Sequence, residues 1–403
     1  MTDQQPDFSI GIEGEHEGPI GQLFTAPPWL RAALAILAIY LFISSVNMIG
    51  SGLKVIAKDP AGDSFLQWLF GMVDQPLAGL FIGLLVTSLV QSSSFTTSMT
   101  VGLVGAGEIS LTAAIPIVMG ANVGTSVTNL LVSLAHVRRR REFRRSLAGA
   151  IVHDFFNVLA VIVLLPLEWA FGLISHPTQW FAARLGESQI FSSDPTKQMG
   201  VLKQFFGFMA KGFKWLMLDV LGLSDKVGGA VVAVLALLLL FVALGLLVKV
   251  LRALMQSRLS DVFSRTLFRR PAIAFVVGIV LTAAVQSSSV TTSLVVPLVG
   301  AGILKLRQIY PYTLGANIGT TLTAILAALG TGNAFAMACA MGHLLFNLFG
   351  TMIFWPLQFI PISLAKGFAK MASRRRYLAI AYIIVLFFVI PIIVVVLTNL
   401  WKG

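Results

Sequence analysis

Residues 91–128 form a stretch that begins with Gln-Ser-Ser-Ser and contains Gly-Ala-Asn-Val-Gly-Thr at 120–125. It recurs at residues 286–323, where the two motifs read Gln-Ser-Ser-Ser and Gly-Ala-Asn-Ile-Gly-Thr. The two stretches align without a gap at an offset of 195 and are identical at 21 of 38 positions. Chance does not produce such an internal match, so the chain contains two copies of one structural unit.

The composition indicates that both copies lie in a membrane. The chain of 403 residues is 57% hydrophobic and 11% charged, whereas a soluble domain carries about 25% charged residues. Several uncharged stretches exceed the roughly 20 residues that cross a bilayer as a helix. They are residues 32–53, 227–248, 308–365 and 377–401. We therefore predict an all-α membrane protein with about seven transmembrane helices and the lipid bilayer as its surroundings.

The basic residues indicate that the two copies have opposite orientations. His-Asp-Phe-Phe-Asn at 153–157 pairs with His-Leu-Leu-Phe-Asn at 343–347. The connector before this motif holds six arginines in the first copy, at 138–145, and no charge in the second copy, at 330–334. Because short cytoplasmic loops collect Lys and Arg, the first connector is expected inside and the second outside. The copies would then be inverted-topology repeats, as in many secondary transporters.

The repeats divide the chain into five predicted segments. Residues 1–28 are a polar N-terminal tail, 29–174 the first inverted repeat, 175–226 an extracytoplasmic loop with an interfacial helix, 227–365 the second inverted repeat, and 366–403 a basic cytoplasmic loop with the final transmembrane helix. The tail lacks the basic start of a signal peptide. This order predicts a cytoplasmic N-terminus and an extracytoplasmic C-terminus. The acidic tail and two outer lysines run against this orientation, and the six arginines outweigh them.

The uncharged runs around the two Gln-Ser-Ser-Ser motifs have an unusual length. They cover residues 75–107 and 271–304, which are 33 and 34 residues long. Two full spans with a turn need more than about 40 residues, and one span needs far fewer. We predict two re-entrant helical hairpins whose turns reach the bilayer midplane. Non-helical backbone at that depth is tolerated only against protein or a wet cavity.

The turns and the Gly-Ala-Asn segments offer neutral groups suited to an anion and to Na⁺. A half-helix that begins at Ser93 or Ser288 presents free backbone N–H groups and a positive dipole end to an anion. Hydroxyl, amide and carbonyl oxygens suit Na⁺. Paired glycines are expected to loosen the helix around each asparagine and to let other chain approach.

The predicted substrate-binding residues are Gln91, Ser92, Ser93, Ser94, Gln286, Ser287, Ser288, Ser289, Asn122 and Asn317. The predicted sodium-binding residues are Gln91, Thr96, Asn122, Thr125, Gln286, Thr291, Asn317 and Thr320. Na⁺ is the only metal expected, as a coupling ion, and no cofactor is expected.

Structural roles compete with these assignments. A single serine run in a membrane helix is more often a packing surface, but duplication and central placement favour binding here. Asn122 and Asn317 could instead hydrogen-bond between helices. His153 and His343, each with an asparagine four residues later on the same helix face, are expected to be internal struts.

These motifs resemble the type II sodium-dependent phosphate cotransporter family. The resemblance covers residues 74–357 and is carried by Val-Gln-Ser-Ser-Ser at 90–94 and 285–289, by Ala-Ile-Pro-Ile-Val-Met-Gly-Ala-Asn at 114–122 and by the motif at 153–157. It implies sodium-coupled uptake of inorganic phosphate by alternating access, with both turns in the substrate and sodium sites. The family's vertebrate members carry a large disulfide-bonded outer loop. The outer loop here is short and lacks cysteine, which implies a bacterial-type member in the cell inner membrane.

One departure from the family bears on the number of sodium ions. Electrogenic members carry an aspartate in an Ala-Gly-Asp triplet before the basic connector, where this sequence has Val137, Arg138 and Arg139. We therefore predict two sodium ions per phosphate dianion and little net current. Asp154 is a carboxylate within a membrane segment, where such groups are costly and suggest function. It either faces the pathway or forms an ion pair with Arg145.

Three other functions share some of these features. The cargo could be another oxyanion, such as sulfate or arsenate, or the protein could be a passive channel. An intramembrane serine hydrolase would use Ser93 or Ser288 as nucleophile and His153 or His343 as base. However, the serines lack a Gly-x-Ser-x-Gly context and two equivalent runs fit binding better. We expect a transporter and not an enzyme, without nucleic acid as a partner; no feature indicates an oligomeric state.

Overall fold

The computed structural model describes residues 27–187, 191, 200–262, 268 and 270–400, and its long elements are helices. The first half contains α1 (Pro28–Ile56), α2 (Pro60–Gly71), α3 (Pro76–Val90), α4 (Ser93–Ala106), α5 (Leu111–Gly124), α6 (Ser126–Leu134), α7 (Arg140–Phe171), α8 (Ser175–Gly186) and α9 (Gly200–Trp215). The second half contains α10 (Asp225–Val262), α11 (Pro271–Val285), α12 (Ser288–Gly300), α13 (Leu306–Thr331), α14 (Ala334–Phe354), α15 (Phe359–Ala372), α16 (Tyr377–Ile384) and α17 (Ile390–Leu400).

Seven helices within the described residues are long and apolar enough to cross a membrane, which confirms the predicted number. They are Trp29–Ile56, Leu111–Leu134, Arg140–Phe171, Asp225–Leu251, Leu306–Thr331, Ala334–Phe354 and Tyr377–Thr398. The last span passes through a π-helical turn at Val385–Val389. A helix also occupies the predicted interfacial position, at Gly200–Trp215. Most of the predicted N-terminal tail, residues 1–26, lies outside the described residues.

Two helical hairpins stand where re-entrant segments are predicted. The first joins α3 to α4 at Gln91, and the second joins α11 to α12 at Gln286. The arms contain 15 and 14 residues in the first hairpin and 15 and 13 in the second. At about 1.5 Å per residue each arm is about 20–22 Å long, which is shorter than the roughly 30 Å hydrocarbon core. Each hairpin can therefore enter and leave a membrane on one side.

Glycines let each hairpin pack closely on the span that follows it. A Cβ on Gly120 would lie 1.8 Å from the Leu80 carbonyl oxygen, and one on Gly315 would lie 2.0 Å from that of Phe275. The predicted close approach is thus confirmed in both copies. The predicted loosening is found only in the first copy, where the helix is interrupted at Thr125. In the second copy α13 runs unbroken, because a glycine pair can remove side chains from an interface without breaking helical hydrogen bonds.

Contacts between the copies favour an antiparallel arrangement. Gly105, at the base of the first hairpin, packs against Thr331, which precedes the second copy's connector. Gly300, at the base of the second hairpin, packs against Ser146 near the start of α7. The span Leu111–Leu134 has 24 residues and separates the first hairpin's base from its own connector by about 36 Å. The two connectors therefore belong at opposite ends of the bundle, as inverted repeats require.

Candidate binding site at the paired turns

Each turn holds its glutamine in the left-handed conformation. Gln91 has φ 59° and ψ 28°, and Gln286 has φ 59° and ψ 24°. An L-residue in this region costs about 1–2 kcal/mol, and such strain is often found at functional positions. Each Oε1 accepts a hydrogen bond from a threonine on the following span, Thr128 at 2.9 Å and Thr323 at 2.8 Å. Each Nε2 donates to a carbonyl in the preceding helical turn.

Sequence reasoning missed these two threonines, although a signal for them was present. Thr128 and Thr323 are identical residues at the offset of 195 and close the matched stretch. Through them each glutamine ties its turn to the neighbouring span.

The first serine of each motif caps the helix that follows. The Oγ of Ser92 accepts a hydrogen bond from Phe95 N at 3.2 Å, and that of Ser287 accepts one from Val290 N at 3.4 Å. α4 and α12 therefore begin at the turns, as predicted. The first backbone N–H groups of a helix have no partner within it, so both turns present positive helix ends.

The remaining serines bring the two turns together. The Ser94 hydroxyl donates to the Gln286 carbonyl oxygen at 3.2 Å, which joins the first turn directly to the second. Ser93, Ser288 and Ser289 are 4%, 3% and 7% exposed, and their hydroxyls make no hydrogen bond to another described residue. Three unpaired hydroxyls beside two helix N-termini are therefore suited to a polar ligand.

The threonines predicted as sodium ligands are all buried. Thr96 hydrogen-bonds to a threonine on the other arm of its hairpin at 2.8 Å, and Thr291 does the same at 2.7 Å. Thr125 and Thr320 donate to the carbonyl four residues earlier in their own helices. A hydroxyl has two acceptor lone pairs, so these bonds leave oxygen available to a cation. Their role as ligands stays a prediction.

The asparagines and histidines form hydrogen bonds between the copies. His153 Nε2 lies 2.6 Å from Asn317 Oδ1, and Asn317 Nδ2 donates to Asn157 Oδ1 at 2.8 Å. The corresponding pair joins His343 Nε2 to Asn122 Oδ1 at 3.3 Å. Each histidine thus contacts the asparagine of the other copy, as suits an internal strut. Helix-to-helix bonding is observed for both asparagines, and their predicted ligand role is a further proposal.

The equivalent asparagines of the two copies, Asn157 and Asn347, make different hydrogen bonds in this network. Asn157 Nδ2 reaches across to the Asn122 carbonyl oxygen at 3.2 Å. Its counterpart, Asn347, donates only to the His343 carbonyl in its own helix. The Oδ1 of Asn347 and the Nδ1 of His343 are buried without a partner among the described residues. The copies therefore have equivalent residues in different bonding states.

Asp154 is fully buried, and its hydrogen-bond partner comes from the last span. Tyr382 donates its hydroxyl to Asp154 Oδ2. The alternative of an ion pair with Arg145 is wrong, because the described ion pairs do not include either residue. The Oδ1 of Asp154 has no partner in the described part of the chain.

The histidine contacts also bear on the hydrolase alternative. The Nδ1 of His153 lies 3.2 Å from Ser126 Oγ, and its Nε2 contacts an asparagine. A base for Ser93 or Ser288 would need to hydrogen-bond to that serine. Among the described residues, no such bond joins either serine to a histidine, so the geometry gives the hydrolase no support.

Comparison with known proteins identifies the family of this chain. A family model described as Na⁺/Pi-cotransporter matches residues 41–217 and 238–359. The chain belongs to the Na⁺/Pi-cotransporter family. This confirms the resemblance on which the sequence-based expectations rest. No solved structure matches the chain.

Named relatives in this family are sodium-dependent phosphate transport proteins. The chain is 34% identical to sodium-dependent phosphate transport protein 2B of Homo sapiens, over 90% of this chain and 64% of that protein. It is 34% identical to protein 2A of Rattus norvegicus, over 91% of this chain and 67% of that protein. The 2B protein of Pongo abelii is 34% identical over 90% of this chain and 65% of its own length. The chain thus spans just under two thirds of the 2B relatives.

Proposed function

We propose that this protein is a sodium-coupled symporter that carries inorganic phosphate into the cell by alternating access. The observation that carries the proposal is the meeting of two helix-capping Gln-Ser-Ser-Ser turns, linked by the bond from Ser94 to Gln286. The relatives described above are sodium-dependent phosphate transport proteins, which supports the same cargo and coupling ion.

The anion would bind between the two turns. Two helix N-termini and the hydroxyls of Ser93, Ser288 and Ser289 can donate hydrogen bonds to a tetrahedral oxyanion. The neutral lining would bind phosphate without a permanent charge, so release needs no ion pair to be broken. Ser94 would exchange its bond to Gln286 for one to phosphate when the turns separate.

Sodium would bind to the oxygens that surround the turns. The carboxamides of Gln91 and Gln286, the threonine hydroxyls and the asparagine oxygens are hard neutral ligands of the kind that Na⁺ accepts. Asn122 and Asn317 would bind sodium only after their hydrogen bonds to the histidines are broken. Sodium binding would in that way be coupled to movement of one copy against the other.

The difference in hydrogen bonding between the two copies suggests how access to the site changes from one side of the membrane to the other. In copy one both His153 and Asn157 hydrogen-bond to Asn317. In copy two only His343 hydrogen-bonds to Asn122, because Asn347 donates to the His343 carbonyl in its own helix. With equivalent copies in inverted orientation, as the basic connectors predict, exchanging these bonding states would open the site towards the other side. We infer that the described conformation is one of two related states.

The orientation follows from the positive-inside rule. The arginine connector would face the cytoplasm of a bacterial cell, the N-terminus would also be inside, and the end of the final span would be outside. The membrane would be the cell inner membrane.

Two sodium ions are proposed per phosphate dianion. Moving each charge across 100 mV costs or yields about 2.3 kcal/mol, so entry of a dianion alone costs about 4.6 kcal/mol at that potential. Two sodium ions cancel this charge. Asp154 is fully buried and accepts a hydrogen bond from Tyr382 of the last span, so it is not assigned to a third sodium.

The test is equilibrium binding of labelled phosphate to the purified protein, in sodium chloride and in choline chloride. We expect binding that requires sodium and is displaced by unlabelled phosphate. Equal binding in choline would contradict sodium coupling. Displacement by sulfate or arsenate at lower concentration than by phosphate would assign the protein to the alternative oxyanion.

A further inference from the structure

A second polar feature lies away from the paired turns, beside the arginine connector. It is an open cleft of about 770 Å³ between the start of α7 and the segment that joins α15 to α16. The residues that line it are Arg140, Ser373, Arg374, Arg375, Arg376 and Tyr377. All four arginines are exposed, so the cleft is accessible to a ligand outside the helical bundle.

The charge around this cleft is not balanced within the described protein. Residues 138–145 contain six arginines and one glutamate, and residues 366–376 contain two lysines and three arginines without an acidic residue. Within these two segments one ion pair is described, between Arg139 and Glu142 at 3.1 Å. Like charges brought together repel, and the positive N-terminal end of α7 adds to the repulsion. An anion in the cleft would relieve it.

The surroundings of the cleft indicate which kind of anion. Tyr377 is 61% exposed and begins the final span, which is the least buried of the seven. The neighbouring end of α15 exposes Met371, and the final span exposes Ile380 and Ile384. Exposed apolar side chains and a tyrosine beside arginines are typical of the membrane–water interface. A ligand in the cleft would therefore have lipid-facing helix surface directly beside it.

We propose that the cleft binds the phosphate headgroup of an anionic membrane lipid, with the acyl chains along the final span. Arginine guanidinium groups match phosphate oxygens in a bidentate geometry, and basic clefts between membrane helices at the cytoplasmic surface are suited to such headgroups. The bound lipid would connect the start of α7 to the start of α16. These helices also meet within the bundle through Asp154 and Tyr382, so the lipid would fix the last span at a second point.

The experiment measures lipid retention by native mass spectrometry and thermal protection by fluorimetry in detergent. The probes are dioleoyl-phosphatidylglycerol and dioleoyl-phosphatidylcholine, which share acyl chains, and pyrophosphate as a soluble anion. The test variant is Arg374→Gln/Arg375→Gln/Arg376→Gln. The matched control is Arg138→Gln/Arg141→Gln/Arg144→Gln, which removes the same charge from exposed residues outside the cleft.

We expect wild type and control to retain phosphatidylglycerol, and the test variant to bind it at least about tenfold more weakly. Equal losses in test and control variants would indicate only a general surface field and would overturn the proposal. Equal retention of phosphatidylcholine would also overturn it. Protection by pyrophosphate equal to that by phosphatidylglycerol would assign the cleft to a soluble anion instead. Because the substituted residues are exposed, melting without lipid is expected to be unchanged and serves as the folding control.

Discussion

Replacing each turn glutamine with glycine separates its backbone role from its side-chain role. Glycine adopts the left-handed conformation without strain, so Gln91→Gly and Gln286→Gly keep the turn and remove only the carboxamide. The relief of about 1–2 kcal/mol of strain roughly offsets two lost hydrogen bonds at about 1 kcal/mol each. We therefore expect Gln91→Gly to fold with a near-normal melting temperature, and Gln286→Gly to lose stability only by the cost of leaving its buried threonine partner without an acceptor.

Transport should respond very differently from folding. In the transporting state the carboxamide is expected to make its two hydrogen bonds or an equivalent contact with sodium. Removing it would destabilise that state by about 2 kcal/mol and lower the uptake rate roughly 30-fold. Gln286→Gly should be the more damaging variant. Its partner Thr323 is fully buried and would lose its acceptor, which costs a further 1–3 kcal/mol or so, whereas Thr128 is partly exposed.

The assay is sodium-driven phosphate uptake into proteoliposomes that contain equal amounts of folded protein. Adding Thr323→Val to Gln286→Gly removes the stranded hydroxyl and should restore part of the difference between the two glycine variants. Uptake within twofold of wild type for both glycine variants would show that the glutamines serve only the turn geometry, and the site assignment would be wrong.

Three further predictions concern packing, orientation and charge. Gly315→Ala places a methyl group 2.0 Å from a backbone oxygen and should lower the free energy of unfolding by about 1–3 kcal/mol. The control is Gly367→Ala, whose methyl group meets nothing within 4 Å. Equal melting temperatures for the two variants would contradict the close packing at Gly315. In a Cys339→Ser background, Arg141→Cys should be shielded from an impermeant maleimide added outside cells while Phe335→Cys is labelled, and labelling of both from outside would refute inverted repeats. Finally, a valinomycin potential imposed at fixed sodium gradient should leave phosphate uptake nearly unchanged, and severalfold acceleration by an inside-negative potential would refute two-sodium coupling.

The sequence was sufficient for the parts of the fold that depend on composition and repetition. Uncharged runs of defined length predict seven spans and two short hairpins, since the hydrocarbon thickness sets both lengths. The duplicated Gln-Ser-Ser-Ser motif likewise predicts the helix starts at Ser93 and Ser288, because serine is a strong helix-capping residue.

The contacts between distant segments could not be predicted in this way. Nothing in a single sequence indicates that His153 contacts Asn317 in the other copy and not Asn122 in its own. The same holds for Asp154, whose partner Tyr382 follows it by 228 residues. The sequence also gives no sign that the equivalent residues of the two copies hydrogen-bond to different partners in the structure.

The measurement that tests the central proposal most directly is labelled phosphate uptake by the purified protein in proteoliposomes, with an inward sodium gradient, with equal sodium on both sides, and without sodium. Sodium-coupled symport predicts accumulation above equilibrium only with the inward gradient, and loss of that accumulation when the gradient is dissipated. Uptake that reaches only equilibrium at the same rate in all three conditions would identify a passive channel and contradict sodium-coupled symport.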